Sequence, residues 1–163
     1  MSSRPLVFLD VDGVINDIEA NQMLSRLSGP LEDRARRLGV DIVQVRGRRM
    51  AVPHHIPALI RRLADTTEVW WCTTWRAKAN GDLTKYLGVD AFPVVDPYGR
   101  DAGIAWKAAA VAPIAQRAIS EGRKVVWIED FNGNLPELAD AHFIDTGPVG
   151  YLRREDLNDG IGL

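Results

Sequence analysis

Leu6-Val-Phe-Leu-Asp-Val-Asp-Gly-Val-Ile-Asn-Asp17 is the stretch on which the fold turns. Four apolar residues, Leu6 to Leu9, run into Asp10; one residue separates Asp10 from Asp12, and Gly13 follows at once. So short and apolar a run predicts a buried strand. A strand ending in Asp-x-Asp-Gly sets two carboxylates at the carboxyl edge of a sheet, where open α/β sheets bind ligands. At an effective dielectric of about 20, two carboxylates some 4 Å apart repel by roughly 4 kcal/mol. A divalent cation is the simplest group to offset that. The plainer alternative is a turn with two solvated acids, in a chain that carries 22 acidic residues. The strand before the pair and the glycine after it favour a site.

The bulk properties set bounds around this stretch. A chain of 163 residues fits one domain with a proper core. A hydrophobic content of 46% and a charged content of 26% are ordinary for a soluble globular protein. No run approaches the roughly 18 to 20 apolar residues that span a bilayer. The first apolar run stops at Asp10, which does not match a signal peptide. The single cysteine, Cys72, permits no internal disulfide, suits a reducing cytoplasm and predicts a buried structural thiol between its tryptophan neighbours and the strand end. The expectation is a cytoplasmic protein without a membrane partner. The net charge of −2 hides an uneven distribution: residues 34–62 hold eight arginines and one acid, Asp41. That segment carries about +7, as either a solvated arginine face or a surface that meets a polyanion.

Onward from Asn16, Ile18, Leu24, Leu27, Leu31, Ala35 and Leu38 form one apolar helical face, broken at Ser28-Gly29-Pro30. Pro30 suits the first residue of a second helix and Gly39 its C-cap. Residues 40–52 then change period and predict a hairpin with Arg46-Gly47-Arg48 at its basic, mobile tip. Pro53-His54-His55 leads into a helix over 56–64; adjacent histidines diverge, so a loop or capping role is expected for them. Residues 68–74 predict a strand ending in Thr73 and Thr74, followed by a helix over 76–87 capped by Gly88. A short strand over 91–95, a turn at 96–99 and an alanine-rich helix over 106–121 come next, with Pro113 kinking or dividing that helix. Residues 124–128 predict a strand ending in Glu129-Asp130. A short helix from Asn134, a strand over 141–145 containing a structural His142, and a polar helix from about Arg153 complete the chain. Alternating strands and helices imply an α/β fold, a mostly parallel sheet with helices on both faces. Residues 17–55 exceed what a crossover needs and are expected to form a small helix-plus-hairpin cap within the single domain 1–163.

Three strand ends, Asp10/Asp12, Thr73/Thr74 and Glu129/Asp130, thus meet on one edge, with Lys107 on the helix before the last. Phosphoryl transfer needs that set: an in-line nucleophile, a cation and positive groups around the equatorial charge. The chain resembles the haloacid dehalogenase (HAD) superfamily, whose four motifs appear in order as Phe8-Leu-Asp-Val-Asp-Gly-Val-Ile-Asn16, Trp71-Cys-Thr-Thr-Trp75, Lys107 and Glu129-Asp130. The resemblance implies a Rossmann-like sheet and a Mg²⁺-dependent phosphomonoester hydrolase. It makes Asp10 the nucleophile that forms an aspartyl-phosphate and Asp12 the general acid and then base. It sets Thr73 against the phosphate and pairs Lys107 with nucleophile and phosphate. The metal set is Asp10, Asp12 through its carbonyl, and Asp130, with Glu129 beside it; the Glu-Asp pair departs from the commoner paired aspartates. Dehalogenating members lack an acid at the position of Asp12, which favours a phosphatase.

Trp71-x-Thr73-x-Trp75 followed by Ala79-Asn80 also resembles a subset of bacterial and phage-associated HAD proteins, some of whose relatives are linked to RNA repair. Thr74, Arg76, Arg46 and Arg48 are the expected substrate-binding residues, with Arg49 beside them. The expected partner is a phosphorylated small molecule, such as a nucleotide, or a nucleic-acid end. Trp75 is expected to pack in the core, with base stacking as its other use. A nucleic-acid-binding or repair-accessory protein with a weak HAD site, and a phosphotransferase, stand as alternatives.

Overall fold

The computed structural model describes residues 4–96 and 104–163. Four strands, β1 (Leu6–Leu9), β4 (Glu68–Trp71), β5 (Val125–Glu129) and β6 (Ala141–Asp145), form a wholly parallel sheet in the order β4-β1-β5-β6. All four strands therefore end on the same edge. Side chains alternate across β1, as the pleat requires. Val7 and Leu9 join a core beneath α3 (Ile56–Thr66), α4 (Asp82–Leu87) and α6 (Arg154–Ile161). Leu6 and Phe8 face the opposite core, against Val111, Ala115 and Ala118 of α5 (Ile104–Ser120). Burial on both faces explains why β1 is apolar at every position.

The segment between β1 and β4 holds α1 (Ile18–Arg26), α2 (Leu31–Leu38) and an antiparallel hairpin, β2 (Val40–Val45) with β3 (Arg48–Pro53). Pro30 precedes α2 as its N-cap, one position earlier than expected, and Gly39 ends it at φ 68°. The turn is two residues, Arg46 at φ 51° and Gly47 at φ 75°. Two left-handed residues match the twist of the flanking strands. Val43, Val45, Met50 and Val52 share the core of Val7 and Leu9, so the hairpin is anchored in the main core rather than hung outside it. Ala20, Leu24, Ala35, Val40 and Ala51 form a small core of their own under α1 and α2.

Four expectations change. The helix over 76–87 is two pieces, a 3₁₀ turn (Arg76–Ala79) and α4, because Gly81 adopts φ 104° and Asn80 is turned inward. Asn80 accepts from Trp71 Nε1 at 2.8 Å and from the Phe92 amide at 3.0 Å, and donates to the Phe92 carbonyl at 2.9 Å. The strand over 91–95 is a single bridge, Val94 to Trp71, since Pro93 has no amide to extend a ladder. No helix starts at Asn134, where the left-handed Asn132 and Gly133 give their amides to Asp145 and Leu135 stays exposed. Of the two readings of Pro113, the division of the helix is excluded, since α5 is continuous through it. The expected turn at 96–99 falls mostly on residues outside the described ones.

Among the described residues no helix is long and apolar enough to cross a membrane. Cys72 is a fully buried free thiol whose pKa burial pushes well up. His55 sits at the N-cap of α3 and its Nε2–H donates to the Leu152 carbonyl at 2.8 Å. His142 is exposed on β6, the edge strand.

Candidate active site

Parallel strands bring Asp10, Glu129 and Asp130 to one edge, where an oxygen from each lies within 4.8 Å of the others. Lys107 approaches from the first turns of α5, on the face that also receives Leu6 and Phe8. Its Nζ lies 2.7 Å from Glu129 Oε2 and 3.3 Å from Asp10 Oδ1. All three are about 95% buried. Burial opposes the Lys107 charge, but the facing Asp10 and Glu129 carboxylates outweigh it and the pKa is raised. Burial, with Asp10 adding to it, pushes the Glu129 carboxyl up against the opposing pull of Lys107. Asp130, half-buried, is raised mainly by burial. Three carboxylates share one ammonium, so a cation or a proton must meet the excess negative charge.

Gly13 makes this packing possible. A Cβ on it would meet Asp130 Oδ2 at 2.5 Å, and its φ of 76° suits glycine. The Gly13 carbonyl accepts from the buried Thr146 Oγ1 at 2.7 Å, which ties the loop after β6 to the loop after β1.

Asp12 lies half-buried on the other side of Asp10, with both carboxylate oxygens engaged. Asn16 Nδ2 donates to Oδ1 at 2.8 Å and Trp75 Nε1 to Oδ2 at 2.9 Å. The Arg48 guanidinium lies over the Trp75 ring, 5.7 Å from its centroid. Trp75 is therefore a wall of the site as well as a half-buried side chain packed against the main core, whereas Trp71 is fully buried.

Two clefts open here. One, of about 380 Å³, is lined by Asp10, Asp12, Thr74, Lys107, Glu129, Asp130, Phe131 and Asn134. The other, of about 330 Å³, is lined by Asp12, Arg46, Arg48, Thr74, Trp75 and Lys78. They share Asp12 and Thr74. Thr73, expected to meet the phosphate, is fully buried and lines neither cleft, its Oγ1 accepting from the Trp75 amide at 3.2 Å. Arg76, in a left-handed conformation at φ 51°, lines neither cleft.

The family model for the HAD domain in Swiss Army Knife RNA repair proteins matches residues 6–157. The chain belongs to this HAD family. No curated protein matches the chain significantly. HAD membership supports a hydrolase of that superfamily.

Several residues of the candidate site carry no signal in the sequence. Trp75 as a donor, Asn134 and Thr146 meet the site from loops, and Lys78 from the 3₁₀ turn, where no periodicity marks them. Asp145 does carry a signal, being an acid at a strand end like Glu129. It accepts from the amides of Asn132, Gly133 and Gly147 at 2.8–3.0 Å and so holds the loop after β5.

Proposed function

We propose that the protein is a Mg²⁺-dependent phosphomonoester hydrolase acting through an aspartyl-phosphate on Asp10. The observation that carries this reading is the buried Lys107 ammonium set between Asp10 and Glu129, at the cleft shared by Asp12, Thr74 and Asp130. A carboxylate in contact with a fixed ammonium can approach a phosphoryl group whose own charge that ammonium also neutralises.

In the first step an Asp10 oxygen bonds to phosphorus as the ester P–O bond breaks. Asp12, as the carboxylic acid, passes its proton to the departing oxygen. In the second step the Asp12 carboxylate takes a proton from water, whose oxygen bonds to phosphorus while the P–O bond to Asp10 breaks. Inorganic phosphate leaves, and both aspartates return to their starting states. Asn16 and Trp75 hold the Asp12 carboxylate in place, each of its oxygens keeping a lone pair for the reaction. Thr74 meets the phosphate from the open wall, and Thr73 holds the turn beneath it.

The clustered oxygens of Asp10, Glu129 and Asp130 fit a hard divalent cation. Asp10 and Asp130, with the Asp12 carbonyl, would hold Mg²⁺, while Glu129 stays with Lys107. The ion supplies charge neutralisation for the phosphoryl oxygens. The segment 17–55 serves as the cap, and the family's place in RNA repair proteins supports a nucleotide or nucleic-acid terminal phosphate as substrate.

The test is hydrolysis of an aryl phosphate with and without Mg²⁺, by the parent and by Asp10→Asn. Loss of turnover in the variant and in chelator is expected; undiminished turnover by Asp10→Asn would remove the nucleophile. A single-turnover assay for free phosphate separates hydrolysis from transfer to another acceptor.

A further inference from the structure

We propose that the cleft of Arg46, Arg48, Lys78 and Trp75 is a subsite for a second phosphate group carried by the substrate. The inference rests on the phosphomonoesterase reading above and names the substrate class for it: the phosphorylated end of an oligonucleotide.

The argument begins with how the basic segment uses its arginines. Arg34 donates to the carbonyls of Leu24 and Leu27, and Arg37 to that of Ser28. Arg49 binds Asn21 and Ser25 of α1, so it faces away from the site it was expected to serve. Arg61 donates to the Leu87 carbonyl, and Arg36 pairs with Asp33. Arg34, Arg37, Arg49 and Arg61 are thus tied to the fold, the Arg36 pair is solvent-exposed, and Arg62 has no side-chain partner among the described residues and lines neither cleft. Arg46, Arg48 and Lys78 have no acid or carbonyl partner among the described residues, and all three line one cleft. They come from two separate elements, the hairpin and the 3₁₀ turn after β4. The tight Arg46-Gly47 turn and the buried Val45, Met50 and Val52 hold the two hairpin cations in position.

Direction comes from Asp12. As the residue that protonates the departing oxygen, it marks the side on which the rest of the substrate lies. The basic cleft contains Asp12 and Thr74 in its own wall and so lies on that side. Three uncompensated cations there call for more negative charge than a single scissile phosphate brings. Guanidinium groups match phosphate oxygens in pairs, and an ammonium adds a point charge. Trp75, its N–H spent on Asp12 and Arg48 over its ring, forms a preset wall of the basic cleft. A nucleic-acid end supplies this chemistry through its first internucleotide phosphate; a free nucleoside bisphosphate supplies it too.

The experiment compares kcat/KM, with Mg²⁺, for a nucleoside monophosphate, a nucleoside 3′,5′-bisphosphate and a dinucleotide with a terminal phosphate. It uses the parent, Lys78→Ala and the Arg46→Ala/Arg48→Ala/Lys78→Ala triple variant, each checked by thermal melting. The expected result is a preference of at least about tenfold for two-phosphate substrates, weakened in Lys78→Ala and abolished in the triple variant. A faster dinucleotide identifies the nucleic-acid end; a faster bisphosphate overturns that source and keeps the subsite. Equal rates on one- and two-phosphate substrates overturn the subsite while leaving the hydrolase standing. If nothing is turned over, the hydrolase reading fails, and the subsite is judged by binding alone. A 5′- or 3′-phosphorylated oligonucleotide is titrated in chelator across salt. The log Kd against log salt slope is expected to fall by about two in the triple variant, at roughly 0.7 per cation. An unchanged slope overturns the subsite.

Discussion

Gly13 is held to its identity twice, by a φ of 76° and by Asp130 Oδ2 standing 2.5 Å from where a Cβ would be. A methyl group there must displace the Asp130 carboxylate, since the backbone on both sides is pinned by Asn16 and Thr146. Gly13→Ala is therefore expected to cost about 2 kcal/mol of stability and to weaken Mg²⁺ binding more than tenfold. Denaturant melts and a Mg²⁺ titration of the two proteins check this; an unchanged Mg²⁺ affinity would mean that Asp130 is not a ligand. At this scale the acids Asp10, Glu129 and Asp130 were readable because they stand at strand ends. Gly13 was readable as a turn, but its contact with Asp130, across 117 positions of sequence, was not.

At the scale of elements, the strands are joined at the edge opposite the site by a polar clasp. Arg123, just before β5, donates to the Arg4 carbonyl at 2.9 Å and to Glu68 Oε2, at the start of β4, at 2.6 Å. Trp70 Nε1 donates to the other Glu68 oxygen at 2.8 Å. The Trp70 indole first, and then Arg123, hold the Glu68 pKa below its ordinary 4.5 against the opposing effect of burial. A depressed carboxyl stabilises the fold above its unfolded pKa and loses that contribution as pH falls through the folded value. Glu68→Gln is expected to lower stability at neutral pH, with the gap from the parent closing below about pH 4. Urea melts across that range test it, and a gap independent of pH would mean that the clasp works through packing. Elements with an apolar period were legible in the sequence, β1, β4, β5 and α3 above all. The break at Asn80-Gly81 was not, because it depends on Trp71 and Phe92 presenting partners to the Asn80 side chain.

At the scale of the whole molecule, folding gathers Asp10, Glu129 and Asp130 from two strands around one lysine, and the excess negative charge opposes the native state. A cation that binds this cluster and not the unfolded chain must stabilise the protein, by about 2.7 kcal/mol at a hundredfold excess over its Kd. Mg²⁺ is expected to raise Tm in a concentration-dependent way. Asp130→Asn is expected to lose that response while melting no lower than the parent in chelator, since it removes a like charge near Asp10. A Tm indifferent to Mg²⁺ would count against the metal site. The sequence alone determined the parallel α/β sheet, the edge on which the acids collect and the HAD motifs, because strand period and strand-end chemistry are local. Only the tertiary structure decided which arginines face the site, that Trp75 holds Asp12, and that Thr74 is exposed while Thr73 is buried. Those outcomes depend on contacts between segments distant in the chain, where each polar side chain takes whichever partner the packing brings within reach. The opening Asp10-Val-Asp-Gly13 stretch belongs to both accounts: its chemistry is written locally, and its geometry is set by Lys107, Asp130 and Trp75.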